Sequence, residues 1–468
     1  MENTSRRYKI LFLIIFILAV GLRAGMVSFN RQSNDDHMQV ISLILKSGAL
    51  PDKSNCWECY QPKLFHTTAA MVLKITGMDR LSLDNMILAV ELLNLLAGLV
   101  TVAVAGALIT RLPVKSETLK LLTFGLVALN PALIGINVQA TNDTFVILFS
   151  SLALFCAMLF LQEQKLSTFV LMLLFSILCI SSKTNGWVTP LAITLALLIK
   201  AWIQNKRSVR LWLTGILFIA ITLLVSVLNP LNQYIPNVQK FGSPFLINVS
   251  RKPMPLIRWK SPKDCGIRSI LDGYFTFKFV SLIQHPRIES SGVRPDNCTS
   301  LWAVLYGRAN TVQFDNYPPA WSTKGEQGFT LSRVILILAL IPLLLVVFGV
   351  GLEIAAFLKS SFKGDMVIAS STYFGLSLAA FFGFILFLCI YLLGYINLSI
   401  MKVIFIYPAL LTFPLFLMRA VEFIHLRLKD HFMWVRTVFT VWMAILLVLY
   451  AIDVVTMIQL LYSHRMGL

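Results

Sequence analysis

A chain of 468 residues that is 57% hydrophobic and only 13% charged, with mean hydropathy +0.77, holds far more apolar sequence than one soluble core needs. These values exclude a soluble enzyme and predict an all-α polytopic membrane protein, because runs such as Val334 to Leu352 are apolar on every face where barrel strands would alternate. The net charge of +18 is not a nucleic-acid signature: Arg111, Lys115 and Lys120; Lys206, Arg207 and Arg210; Lys359 and Lys363; and Arg419, Arg427, Lys429 and Arg436 fall on every second connection, as topology signals do.

About eleven apolar segments are long enough to cross a hydrocarbon layer of ~30 Å. The first, Ile10 to Val27, follows Arg6, Arg7 and Lys9 and reads as an uncleaved signal anchor. The positive-inside rule puts the amino terminus and the basic connections in the cytoplasm, and so places the loop at 29–84 outside. That loop opens with the acidic pair Asp35-Asp36. Ser33-Asn34 can cap a helix starting at Asp35, with Val40, Ile41, Ile44 and Leu45 as its apolar stripe and Gly48 and Pro51 as its stop. A second amphipathic segment carries Leu64, Phe65, Thr68, Ala69, Val72 and Leu73 and ends near Gly77; both are expected to lie at the bilayer surface. Cys56 to Lys63 between them is too short and polar for a hydrophobic core.

Further spans are expected at Asn85 to Thr110, Leu119 to Asn137, Phe145 to Leu161, Ser167 to Ile180, Trp187 to Ile203 and Leu211 to Leu228. Two of their outer connections, Asn142-Asp143-Thr144 and Ser182-Lys183-Thr184-Asn185, are very short. A hydrophilic stretch of roughly 100 residues follows, long enough to have structure or function of its own. Spans at Val334 to Phe357, Val367 to Leu393, Ile404 to Met418 and Val438 to Leu461 complete the chain. The expected units are therefore a transmembrane module at 1–228, an outer region at 229–332 and a second transmembrane module at 333–468.

Asp35, Asp36, Lys63, Asp143, Lys183 and Lys402 come from separate segments, yet this topology puts all of them on one face. Capping and solvation explain carboxylates at helix starts, and lysines near span ends can snorkel to headgroups. Lysines in tight outer turns run against the charge bias of short loops, which favours a role with phosphate. Cys56, Cys59, Cys265 and Cys298 all fall outside, where two disulfides can form with connectivity left open; a four-thiolate zinc site is the competing reading. Asp36, His37, His66 and His285 are the candidate ligands for a divalent metal cofactor. Trp259, Tyr274, Phe275, Phe277, Trp302, Tyr306, Tyr317 and Trp321 of the long region could stack on sugars or form an interfacial belt.

Asn34-Asp35-Asp36-His37, Cys56 to Leu64 with its Tyr60-Gln61-Pro62 core, Asn130-Pro131, Thr141-Asn142-Asp143, Ser182 to Gly186 and Lys402 to Pro408 lie in order along most of the chain. This ordered set resembles the GT-C superfamily of integral-membrane glycosyltransferases, in the branch of protein O-mannosyltransferases and aminoarabinose transferases. The resemblance implies transfer of a sugar from a polyprenyl-phosphate donor to a lipid, glycan or protein acceptor at the non-cytoplasmic face. The setting it implies is a bacterial inner membrane, or alternatively the endoplasmic reticulum. It also implies Asp35 as base; many members have Asp-Glu where this chain has Asp-Asp.

Inverting transfer needs a carboxylate to take the acceptor proton and cations to stabilise the departing phosphate. Asp35 is the expected base, with Asp36 or Asp143 orienting it or the acceptor. Lys183, Lys402 and Arg258 are expected on the phosphate, and Lys63 and Tyr60 in an orienting role. The alternative function is a transporter or lipid-linked glycan flippase, which should carry ionisable groups near the bilayer midplane and inverted repeats. Of ionisable residues within spans, Glu91 and Asp453 are the examples, and no repeat is evident.

Overall fold

The computed structural model describes residues 5–31, 35–204, 209–246, 259–260, 267–268, 270–286, 300–312, 325–363, 374–394, 402–428 and 432–467. Helix α1 (Arg6–Phe29) starts at Ser5, whose hydroxyl accepts from the Tyr8 amide. The same serine donates to Glu117, which joins the start of α1 to the start of α5 (Glu117–Ala128). After α2 (His37–Ser47) and α3 (Leu64–Thr76) come α4 (Leu83–Arg111), α5 and α6 (Pro131–Asn137). The hairpin of α7 (Asp143–Glu163) and α8 (Leu166–Ser182) leads to α9 (Val188–Gln204) and α10 (Val209–Leu228).

The long connection contains α11 (Tyr234–Phe241), the two-residue antiparallel strands β1 (Trp259–Lys260) and β2 (Ile267–Arg268), α12 (Ile270–Phe275), α13 (Phe279–Gln284) and α14 (Leu301–Asn310). Helices α15 (Gly325–Lys363), α16 (Phe374–Gly394), α17 (Thr412–Leu428) and α18 (Phe432–Met466) follow. The short strand pair leaves the architecture all-helical. Helix α1 packs on α18, α9 on α16, and α15 on α17, so helices from both ends of the sequence build one apolar core.

Among the described residues, seven helices are long and apolar enough to cross a membrane, or eight if the bent pair α5–α6 is one span. The expectation of about eleven counted apolar segments, and several of these are short or interrupted. Leu119 to Asn137 breaks at Asn130-Pro131 with a bend of 46°. Proline removes an amide donor and clashes with the preceding turn, while Asn130 caps the new helix by accepting from the Leu133 amide at 2.9 Å. Leu166–Ser182 has 17 residues. The segment expected from Ile404 enters through two 3-10 turns, Val403–Phe405 and Tyr407–Ala409, before α17 begins.

Ionisable groups inside the bundle meet internal polar partners. Arg23, fully buried, donates from Nε to Asn137 Oδ1 at 3.1 Å and from a terminal nitrogen to the carbonyls of Ala19 and Ala128, the latter freed by the end of α5. Arg31 pairs with Glu91 at 3.4 Å, Arg419 lies 3.0 Å from Glu353, and Asp453 accepts from the Val312 amide at 2.7 Å. Glu91 and Asp453, the ionisable residues expected within spans, thus each have a polar partner inside the bundle.

Helices α2 and α3 dock on the bundle. Met38, Ile41, Phe65, Ala69 and Leu73 form a second core with Ile87 and Val90 of α4 and Phe145 of α7. Helix α2 begins at His37, two residues later than its sequence suggests. Asp35 (φ 51°) and Asp36 (φ 57°) are both left-handed, a conformation outside any helix that aspartate tolerates better than most residues. The capping pair Ser33-Asn34 lies outside the described residues. So do Cys265, Cys298, Arg258, Tyr317 and Trp321, as does the side chain of Trp259.

Of the aromatics of the long region, several tether it to the bundle. Tyr274 donates to the Cys389 carbonyl at 2.7 Å, Trp302 donates to the Tyr274 carbonyl at 2.6 Å, and Tyr306 donates to the Leu336 carbonyl.

Candidate active site

Five stretches of chain meet at one end of the bundle. The first is the Asp35-Asp36 turn. The second is the 3-10 loop Trp57–Tyr60, closed by a Cys56–Cys59 disulfide. That bond realises the disulfide reading for two of the four cysteines and withdraws their thiolates from the zinc alternative. The loop is far from a solvated polar strip: Glu58, Cys59, Gln61 and Lys63 are buried. Lys63 donates from Nζ to the carbonyls of Cys59 (2.6 Å) and Gln61 (2.5 Å). These bonds staple its own loop; burial lowers its pKa to about 7. Tyr60 is half-buried, its hydroxyl accepting from Gln61 Nε2 at 2.7 Å.

The third stretch is Thr141-Asn142-Asp143 at the start of α7, and the fourth is the turn after α8. Lys183 Nζ lies 2.5 Å from Asp143 Oδ1, and Asp143 Oδ2 accepts from the Thr141 hydroxyl at 2.9 Å. The Lys183 ammonium also sits 5.4 Å from the Phe405 ring centre. This turn closes only because residue 186 is glycine: a Cβ there would stand 2.3 Å from the Cys179 carbonyl oxygen. The fifth stretch begins at Lys402, whose Nζ is 3.5 Å from Asp35 Oδ2. It is fixed from below by Ser150, which donates to the Pro408 carbonyl at 2.7 Å, and by Tyr407, which donates to Asn130 at 2.9 Å.

The segment after α10 covers one side of this end. The Lys63 amide donates to the Leu231 carbonyl at 2.8 Å, and Lys240 meets Asp52 at 2.5 Å. Trp187 donates to the Tyr234 hydroxyl at 2.8 Å.

The two lysines expected on phosphate are therefore each matched to a carboxylate expected in catalysis. Exposure separates the pairs: the Asp143 side chain is 4% exposed and that of Asp35 37%, so an incoming group reaches Asp35 directly. Burial raises the Asp35 pKa, but Lys402, His37 and Lys183 together outweigh it and hold the carboxyl below its ordinary range. Asp36 points to solvent at the N-cap of α2 without a side-chain capping bond.

Glu58 is a site residue the sequence reading missed. Burial, reinforced by Asp35, pushes its pKa up to about 7. Its position between two cysteines and beside Trp57 gave no sign of that burial.

The four candidate metal ligands are not assembled. His37 Nδ1 and His66 Nε2 are hydrogen-bonded to each other at 3.0 Å, Asp36 is exposed, and His285 closes α13. Among the described residues no three His, Cys, Asp or Glu side chains are grouped as a metal ion requires, so these residues do not fit a resident metal.

His37 is buried and neutral over a wide range. Burial chiefly, with Lys183 and Lys402 against Asp35 and Asp143, lowers its pKa from 6.5 to about 4. Between those values the unfolded chain binds a proton that the folded protein refuses, so this stability contribution is complete above pH 6.5 and is lost as pH falls toward 4. Glu58 acts oppositely, its contribution declining as pH rises from 4.5 to about 7. The thermal midpoint of the wild type, minus that of His37→Gln, should therefore shrink on acidification through this window; a constant difference would show that His37 titrates normally.

No protein-family model matches the sequence, and no curated protein matches it. Solved structures do. The Archaeoglobus fulgidus oligosaccharyltransferase in complex with Zn and sulfate aligns over 95% of this chain and 53% of its own, with TM-score 0.51 and 13% identity. The archaeal oligosaccharyltransferase AglB from the same organism, with an inhibitory peptide and a dolichol-phosphate, aligns over 98% and 56% at TM-score 0.49 and 13% identity. ArnT from Cupriavidus metallidurans in the apo state aligns over 87% and 76% at TM-score 0.38 and 15% identity. The chain spans about half the length of the two archaeal structures. At such identities the likeness shows the fold alone, an architecture shared with the archaeal oligosaccharyltransferase.

Proposed function

We propose that this protein transfers a sugar from a polyprenyl-phosphate donor to an acceptor hydroxyl, amine or phosphate at the non-cytoplasmic membrane face, with inversion and with Asp35 as general base. The acceptor is a lipid, glycan or protein, and the membrane is the bacterial inner membrane, with the endoplasmic reticulum as the equivalent setting. The observation that carries this reading is the half-open Asp35–Lys402 pair backed by the buried Asp143–Lys183 pair. A carboxylate that an acceptor can reach and a cation beside it are the two groups that inverting transfer requires.

In the donor-free protein Lys402 holds Asp35. An arriving phosphate takes the ammonium, which places positive charge on the leaving group and frees the carboxylate to accept the acceptor proton. The sugar carbon then passes from phosphate oxygen to acceptor oxygen or nitrogen. Polyprenyl phosphate is a weakly basic leaving group and departs without a general acid. Lys183, held by Asp143, supplies fixed field and not a direct phosphate contact. Arg258, outside the described residues, belongs to the proposal from sequence alone.

Lys402→Gln should weaken binding of radiolabelled undecaprenyl phosphate to the purified protein about tenfold to a hundredfold, as loss of one charge-assisted hydrogen bond implies. Unchanged affinity would move the phosphate away from Lys402.

A further inference from the structure

Between α6 and α7 the chain from Val138 to Asn142 runs without helical structure and is buried throughout. Irregular backbone inside an apolar bundle must find donors for its carbonyls, because water cannot supply them. Two side chains do so here. Asn94 donates from Nδ2 to the carbonyls of Gln139 at 2.5 Å and Thr141 at 2.7 Å. Asn30 donates from Nδ2 to the Val138 carbonyl at 2.6 Å and to Glu91 Oε1 at 2.8 Å. Backbone carbonyls only accept, so the NH2 end of each amide must face this segment. Asn30, Glu91 and Asn94 are all fully buried.

Glu91, Asn94 and Gly98 lie about one turn apart along a single face of α4. Gly98 lets the segment approach: a Cβ there would stand 2.2 Å from Asn137 Cγ. The second oxygen of Glu91 meets Arg31 at 3.4 Å, so the same carboxylate grips the end of α1, whose continuation carries Asp35. On the other side Thr141, seated by Asn94 through its carbonyl, donates its hydroxyl to Asp143 at 2.9 Å, and Asp143 pairs with Lys183.

We propose that Glu91 and Asn94 are positioning residues for the transfer reaction: from one face of α4 they hold the backbone that presents the Asp143–Lys183 pair and fix it against the end of α1. Neither touches the reacting groups. Lys183 and Asp143 both act electrostatically on Asp35, and a displacement of about 1 Å in such a constellation can cost two orders of magnitude in rate. The catalytic part of this inference rests on the glycosyltransferase reading; the seating of the segment on α4 does not.

The test uses the full-length protein in nanodiscs. Asn94→Leu keeps the side-chain size and removes both donors. Read by mass spectrometry, it should speed amide exchange about tenfold over 138–146, the scale of a lost buried hydrogen bond, and leave the far end of α4 at 100–111 unchanged. Unchanged exchange over 138–146, or an equal rise at 100–111, overturns the seating. In a transfer assay Asn94→Leu and Glu91→Leu should each lower kcat by up to about a hundredfold with the donor KM little changed. Glu91→Gln still offers Asn30 an oxygen and should keep most of kcat. Equal loss in Glu91→Gln and Glu91→Leu, or loss confined to KM, overturns the positioning role. Gly98→Ala removes no polar group and serves where a leucine variant fails to fold. Its methyl should displace the segment at Asn137 and lower kcat in the same way, and wild-type kcat in this variant overturns the role. If the wild type transfers nothing, the glycosyltransferase reading fails while the exchange data still decide the seating.

Discussion

Lys183→Met is expected to destabilise the protein by about 3–5 kcal/mol, because it strands the Asp143 carboxylate in a buried site. Asp143→Asn should also destabilise, through the reverse loss. The double variant Asp143→Asn/Lys183→Met should regain much of the stability, since a buried pair removed together leaves no unmatched charge. Activity should be lost in all three. The pair is buried on both sides, with side-chain exposures of 11% and 4%, which is why this cycle differs from one at an ordinary surface ion pair. Thermal midpoints in detergent check it, and additive losses in the double variant would contradict the buried pairing.

The second large effect falls on rate. Asp35→Asn should lower transfer by about 10²–10⁴-fold, the usual contribution of a general base, with little change in thermal midpoint. Asparagine is suited to this test because it adopts the left-handed conformation at φ 51° nearly as well as aspartate. The lost Lys402 pair is partly exposed, and pairs of that kind contribute little to stability. Alanine would confound the measurement by adding backbone strain. Asp36→Asn should have a much smaller effect, since that side chain points to solvent. Loss of activity in Asp36→Asn with retention in Asp35→Asn would exchange their roles.

The membrane class and the meeting of Asp35, Asp143, Lys183 and Lys402 were legible in the sequence because they follow from apolar run length and loop charge. Two amphipathic segments around the Cys56 loop could be read from periodicity, and they fold as α2 and α3. Which partner each group takes was not legible. Lys183 was expected on phosphate, and nothing in a linear sequence shows that Asp143, 40 positions earlier, lies against its ammonium. Lys63 looked like an orienting group for a carboxylate, and its bonding to the carbonyls of Cys59 and Gln61 depends on a local turn that periodicity does not report. His37 and His66 looked like metal ligands by residue type. Their mutual hydrogen bond comes from packing α2 against α3. Glu58 was missed because burial of a single acid in a short polar loop has no sequence signature. Among the described residues seven or eight helices pass as crossings by length and composition, because several of the expected segments fold as shorter or interrupted helices.

The central claim is a sugar-transfer reaction at the Asp35–Lys402 pair, and transfer of label measures it most directly. Membranes containing the wild type or Asp35→Asn would be given a panel of radiolabelled polyprenyl-phosphate sugars, and the products separated into lipid, glycan and protein fractions. Label entering one fraction with the wild type alone is the predicted result, and that fraction identifies the acceptor class. Absence of Asp35-dependent transfer from every donor, with equal expression of both proteins, would contradict the account.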